Sequence, residues 1–233
     1  MKKKTAEGQK SLNAKANPEH PENVSGGNDL RQFDSILLGL GFAALLVPFA
    51  LQKIIPFPNL ASALAPDLIF TAAIAWLTWP CFRERLKARS RDAWAVSTAA
   101  FAVAIVICGS LKKMGIDEGQ LYGVGPKTFF ILVVYAPIVE EVLFRYALWT
   151  PLEHRFGPYP ALITTSVIFS LSHLFGYFDA PAQLREALLA QGAVTLAFGM
   201  VIGAIYLRTR SISIAMLGHA FANLGAFIIM TLT

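Results

Sequence analysis

Charge is scarce in this chain. Only 15% of its 233 residues are Asp, Glu, Lys or Arg, whereas 55% are hydrophobic, and the mean hydropathy is +0.53. Soluble domains carry about 45–50% apolar and about 25% charged residues, so a water-soluble globule is excluded. Cysteine is nearly absent: Cys81 and Cys108 have no metal-type spacing and form no disulfide framework, and both read as packing residues. Period-two alternation is missing, which excludes a transmembrane barrel, and no internal repeat is visible. No His-Glu-x-x-His occurs, so the usual helix-borne zinc protease motif is excluded. The lysines at positions 2–4 are not followed by an apolar core at the distance a signal peptide needs.

What is present is a series of long apolar runs. Residues 1–34 are polar and read as a disordered cytoplasmic tail. Seven apolar segments follow: Ser35–Leu51, Leu60–Phe82, Ala93–Leu111, Thr128–Thr150, Tyr159–Phe175, Ala187–Leu207 and Ile212–Leu232. Each approaches the ~20 residues needed to cross about 30 Å of hydrocarbon. In lipid every backbone polar group must be satisfied within the segment, which leaves helices. The expected fold is therefore all-α: a polytopic transmembrane helical bundle of seven or eight spans around a central polar cavity. Its parts are the tail 1–34, N-terminal transmembrane helices over 35–111 and a core over 125–233. The stretch from Pro181 to Glu186 either starts the sixth helix early or lies at the interface.

With the N-terminus in the cytoplasm, fourteen of the twenty Lys and Arg fall on the cytoplasmic side, five on the opposite side, and Arg145 within a helix. The positive-inside rule then favours an integral, multi-pass protein with its N-terminus inside and its C-terminus outside, in the inner membrane if the source is bacterial. The cluster Arg83–Arg91 carries most of that signal. The net charge of +5 follows from the same loops and does not point to nucleic acid.

The fourth segment contains Ile138-Val-Glu-Glu-Val-Leu-Phe-Arg-Tyr146. Each charge at the bilayer centre costs about 2.5–3.5 kcal/mol on insertion scales, so these three charges need partners or a wet cavity. Glu141 and Arg145 are four apart, acid first, and can pair along one face. Glu140 is rotated away by about 100° and reads as the free carboxylate. Pro137 lacks an N–H, which frees the carbonyl of Val133 and predicts a kink beside the carboxylates. The fifth segment supplies Phe169-Ser-Leu-Ser-His173, and the seventh supplies His219-Ala-Phe-Ala-Asn223, whose two polar groups share a face.

Depth allows these groups to meet. At 1.5 Å per residue, Glu140 lies ~15 Å from Thr150, His219 ~12 Å from Ser211 and His173 ~21 Å from Tyr159, all within one mid-membrane layer. A carboxylate beside a histidine can move a proton from water to a leaving amine. A second histidine and an amide can donate to a developing oxyanion. These parts suffice for amide hydrolysis without a nucleophilic Ser or Cys. A zinc ion held by Glu140, His173 and His219 is the chemical rival. Two non-enzymatic alternatives stand beside hydrolysis. One is an immunity or sorting partner that binds a peptide. The other is a proton-coupled transporter, although the paired broken helices usual in transporters are not seen.

The motifs Glu140-Glu-x-x-x-Arg145, Phe169-x-x-x-His173 and His219-x-x-x-Asn223 resemble those of the CAAX protease and bacteriocin-processing family. This family is also called Abi and includes the type II CAAX prenyl endopeptidases. The resemblance covers about residues 125–230. It implies an intramembrane endopeptidase of the glutamic type with helices around a conical cavity. Glu140 would be the general base, His173 would help activate the water, and His219 and Asn223 would form the oxyanion site. Glu141, Arg145 and Phe169 would support them. No cofactor is favoured. The implied partners are membrane lipid and a lipidated or hydrophobic peptide or protein substrate. Some family members instead serve bacteriocin self-immunity or protein sorting.

Overall fold

A computed structural model describes residues 24–87, 90–115, 123–175 and 177–232, and among these the regular structure is entirely helical. The chain divides into two units, residues 1–33 and 34–233. The first is described only from Val24, so most of the expected disordered tail lies outside the described residues, as do Ala88 and Arg89 of the basic cluster. Where the tail is described it is helical: α1 (Val24–Ile54) begins well before the apolar run that starts at Ser35.

In the second unit α1 continues to Ile54, followed by α2 (Leu60–Leu77), α3 (Trp79–Arg85) and α4 (Ser90–Lys113). Asn59 starts α2 through a capping box: its side chain accepts from Ser62 N at 2.9 Å, and Ser62 Oγ faces Asn59 N at 3.3 Å. The run expected to continue to Phe82 breaks at Thr78, whose hydroxyl turns back to the carbonyl of Ile74 at 2.6 Å. Pro80 then lies in the first turn of α3, where a missing N–H costs nothing.

The fourth apolar segment is helical without interruption but changes register. It runs through α5 (Pro126–Phe129), π1 (Phe130–Tyr135), α6 (Ala136–Glu141), π2 (Val142–Leu148) and α7 (Trp149–Phe156). Gly157, at φ +88°, turns the chain, and Pro158 opens α8 (Pro158–Ser172). The sixth helix starts early, as α9 (Ala182–Thr209), and a turn of Arg210 and Ser211 leads into α10 (Ile212–Thr231). The Ser211 side chain caps α10 by accepting from Ile214 N at 3.3 Å.

Among the described residues, five helical stretches are long and apolar enough to cross a membrane: Asp29–Ile54, Leu60–Leu77, Ala93–Lys113, Ala182–Thr209 and Ile212–Thr231. The chain is an integral membrane protein with a polytopic helical bundle. Two of the seven expected segments differ from these. The fourth is divided by its π turns, and α8, with fifteen residues, is shorter than a full crossing.

Glycines set the closest helix approaches. A Cβ on Gly199 would lie 3.3 Å from Ser166 Cα of α8, and one on Gly225 of α10 would lie 2.9 Å from the Phe101 carbonyl of α4. Small residues let membrane helices approach to backbone contact, and packing then replaces the missing hydrophobic driving force. Gly199 thus brings α9 onto α8, and Gly225 brings α10 onto α4.

Candidate active site

Pro137 explains how the charged stretch is presented. In π1 the backbone bonds run to the fifth residue back, as Ala136 N–H to Ile131 O shows. In that register the missing N–H of Pro137 orphans the carbonyl of Leu132, not that of Val133 as an α-helical register predicts. Asn223 of α10 repairs the loss by donating from Nδ2 to Leu132 O at 2.7 Å. Turns of this kind concentrate at functional sites. Here the π turn couples the fourth segment to α10 directly beside the carboxylates. One of Asn223's two amide N–H groups is used in this way, and the other is left for the cavity that Asn223 lines.

Glu141 and Arg145 are fully buried. They face each other with Arg145 Nε 3.4 Å from Glu141 Oε2. Arg145 Nη2 also donates to Gly199 O at 3.1 Å, and its guanidinium lies 5.7 Å from the Phe169 ring centroid. The pair is not closed on itself, however. Glu141 Oε1 lies 2.8 Å from His219 Nδ1. With an arginine beside it Glu141 is an acceptor, so Nδ1–H donates and the imidazole is held in one tautomer. That leaves His219 Nε2 facing Glu140 Oε2, at 3.6 Å. His219 is thus flanked by both carboxylates. The Glu141–Arg145 pair expected from the four-residue spacing forms, and His219 links it to Glu140 as the chain Glu140–His219–Glu141–Arg145.

His173 sits where α8 ends, which is earlier than the expected end at Phe175. Its Nδ1 lies 2.8 Å from the Phe169 carbonyl. A carbonyl only accepts, so Nδ1–H donates and Nε2 keeps its lone pair. Both histidines are therefore locked with Nδ1 as donor and Nε2 available, the arrangement that hydrogen bonds to the second ring nitrogen impose. Phe169 is the aromatic hub between them, with ring centroids 4.7 Å from His173 and 6.1 Å from His219. Phe198, which the motifs do not mark, meets His219 edge-on with ring centroids 4.8 Å apart.

Glu140, His173, His219, Asn223 and Phe169 all line one cavity of about 850 Å³. Its other walls are mainly apolar faces of α4 and α9, with Arg208 and Thr209 among the polar exceptions. Three-quarters buried, with 25% of its side chain exposed, Glu140 is the accessible acid, whereas Glu141 is sealed. Among the described residues no three of His, Cys, Asp and Glu converge closely enough to hold a metal ion, and this includes the donor set Glu140, His173 and His219.

Two features escaped the motif reading. Asp67 of α2 accepts a 2.7 Å hydrogen bond from the Tyr135 hydroxyl of π1, close to Glu140 in sequence but outside every motif. His154 Nδ1 pairs with Asp34 at 2.9 Å, which ties α7 to α1. A lone acid in an apolar helix signalled the first, and nothing in the sequence signalled the second.

Residues 125–225 match the family model described as "Type II CAAX prenyl endopeptidase Rce1-like". That span includes all three motifs and the whole fourth segment. A curated relative, "CAAX prenyl protease 2" of Caenorhabditis elegans, is 28% identical over 97 residues, which cover 39% of this chain and 36% of the relative. The chain therefore matches about a third of that relative's length. No solved structure matches the chain. The model match and the relative support the family that the motifs resemble.

Proposed function

From this family likeness and the cavity's geometry we propose that the chain is an intramembrane endopeptidase. Its substrate is a prenylated CAAX-type or otherwise hydrophobic membrane-associated peptide. The observation that carries the proposal is the position of His219 between Glu140 and the Glu141–Arg145 pair, on the wall of a cavity that His173 and Asn223 also line. The cavity volume, about 850 Å³, lies within the roughly 300–1,000 Å³ range of ligand pockets, and its apolar walls suit a lipid-like or apolar chain.

In the proposed reaction Glu140 takes a proton from water as the water oxygen bonds to the scissile carbonyl carbon. His173 Nε2 accepts the second hydrogen of that water and orients it. A proton on His219 Nε2 makes the chain Glu140–His219–Glu141–Arg145 electrically neutral, and in that state Nε2–H donates to the oxyanion. The free N–H of Asn223 is the second donor. Glu140 then passes its proton to the leaving nitrogen as the C–N bond breaks, giving a carboxylic acid and an amine, and the acid's proton then passes to the amine to leave carboxylate and ammonium. No step is routed through a metal.

The reading is tested by cleavage of a farnesylated fluorogenic peptide ending in a CAAX sequence, with purified wild type and Glu140→Gln. Loss of cleavage by a folded variant is expected, and retained cleavage removes Glu140 from the mechanism. We also propose the N-in orientation, supported by the loop charges. A cysteine replacing Arg83 should be labelled by impermeant reagent only after the cytoplasmic face is opened, and labelling of intact cells would reverse the assignment.

A further inference from the structure

Behind Glu140 lies a second, smaller cavity of about 150 Å³, and Glu140 and Ala136 line both it and the large one. Glu140 is thus the partition between an apolar substrate chamber and a compartment whose polar wall is Asp67, Thr71, Tyr135 and Ser172. Asp67 is the only charged residue in the apolar helix α2. A lone acid in such a helix is expensive and marks function by default. Its partner is in place: the Tyr135 hydroxyl lies 2.7 Å from Asp67 Oδ2 and 3.3 Å from the Leu64 carbonyl.

This geometry satisfies the pair in either protonation state. With Asp67 ionised, the tyrosine donates to it. With Asp67 protonated, the acid donates to the tyrosine oxygen and the tyrosine donates on to Leu64 O. The wall therefore stays polar and hydrogen-bonded without a fixed charge. One water needs about 10–15 Å³ of such space and two to four polar partners. A cavity of about 150 Å³ lined by two carboxylates and three hydroxyls meets both conditions for several waters.

We infer that this α2 chamber is the water supply for hydrolysis, with Asp67 and Tyr135 as positioning residues that deliver water to Glu140 from the side opposite the substrate. The inference rests on the peptidase reading above. A hydrophobic substrate filling the large cavity covers the accessible face of Glu140, while each turnover consumes one water. A separate polar compartment on the same carboxylate resolves that conflict. It also gives the N-terminal helices, which lie outside the matched segment 125–225, a part in the chemistry.

The test uses the full chain and the same farnesylated peptide, with Glu140→Gln alongside Asp67→Asn, Tyr135→Phe and Ala44→Leu. Tyr135→Phe removes a single hydroxyl, and Ala44→Leu fills the small chamber from α1 without touching a polar group, so these two decide the matter if Asp67→Asn does not fold. Each is expected to lower kcat at least about tenfold with KM within about twofold. Ala44→Leu should also shrink the solvent isotope effect on kcat towards unity, because water arrival and not proton transfer becomes limiting. Asp67→Glu should recover part of the rate. If wild type cleaves, Glu140→Gln does not, and the chamber variants keep the wild-type kcat and isotope effect, the water-supply role is overturned and the peptidase reading stands. If Glu140→Gln cleaves like wild type, or wild type cleaves neither this peptide nor an unprenylated hydrophobic one, both fall together.

Discussion

Replacing Glu141 by Gln separates its two contacts and tests whether it does more than neutralise Arg145. Arg145 has 0% side-chain exposure, and Glu141 is the one acid within ion-pair distance of it among the described residues. With that charge removed, Arg145 keeps only the Gly199 carbonyl and the Phe169 face. Breaking a buried pair by removing one partner costs about 3–5 kcal/mol, whereas replacing both partners with apolar residues of similar size is often neutral. Glu141→Gln should therefore unfold earlier in a mixed-micelle denaturation series by about that amount, and Glu141→Gln combined with Arg145→Met should recover most of it. Cleavage should behave differently. Both variants lack the carboxylate that accepts from His219 Nδ1–H and holds the ring in place, so both should lose about 10²–10⁴ in kcat. A double variant that cleaves like wild type would refute the orienting role. A single variant that loses less than about 1 kcal/mol would refute the buried pair, since that is the worth of an exposed one.

The Leu132–Asn223 contact should show thermodynamic coupling to Pro137. Asn223→Ala orphans a carbonyl at a cost of about 1–3 kcal/mol, and that cost should shrink in a Pro137→Ala background, where a backbone N–H returns; equal costs in both backgrounds would contradict the π-register account. Gly225→Ala would place a methyl 2.9 Å from the Phe101 carbonyl, and about 1–3 kcal/mol of destabilisation is expected in the same denaturation assay. Incubation with EDTA or phenanthroline should leave peptide cleavage unchanged, whereas complete loss restored by zinc would convert Glu140, His173 and His219 from water-activating groups into ligands.

Much of this arrangement can be read from residues alone, because membrane helices announce themselves by length and apolarity and because buried charges are too costly to be incidental. Glu140, His173, His219 and Asn223 stand out for that reason, and they do share a cavity. Their detailed pairing is not legible. A rotation of 100° per residue holds only in an α-helix, and π1 and π2 flank the two carboxylates. The π register moves the orphaned carbonyl from Val133 to Leu132, and the packing of α10 on the fourth segment sets His219 between both acids. Segment ends shift for local reasons as well. Thr78 stops α2 before Phe82, and α8 stops at Ser172 because His173 turns back on the Phe169 carbonyl. Asp67 stands out as a lone acid in an apolar helix, but its partner Tyr135 is far away in sequence and only the folded structure reveals it.

The central claim is that Glu140 activates the hydrolytic water, and cleavage of the farnesylated peptide by folded Glu140→Gln tests it most directly. The account predicts that the variant elutes and melts like wild type, as a change at a partly exposed carboxylate permits, while product formation falls by about 10²–10⁴-fold. Product formation at the wild-type rate by the folded variant would contradict it.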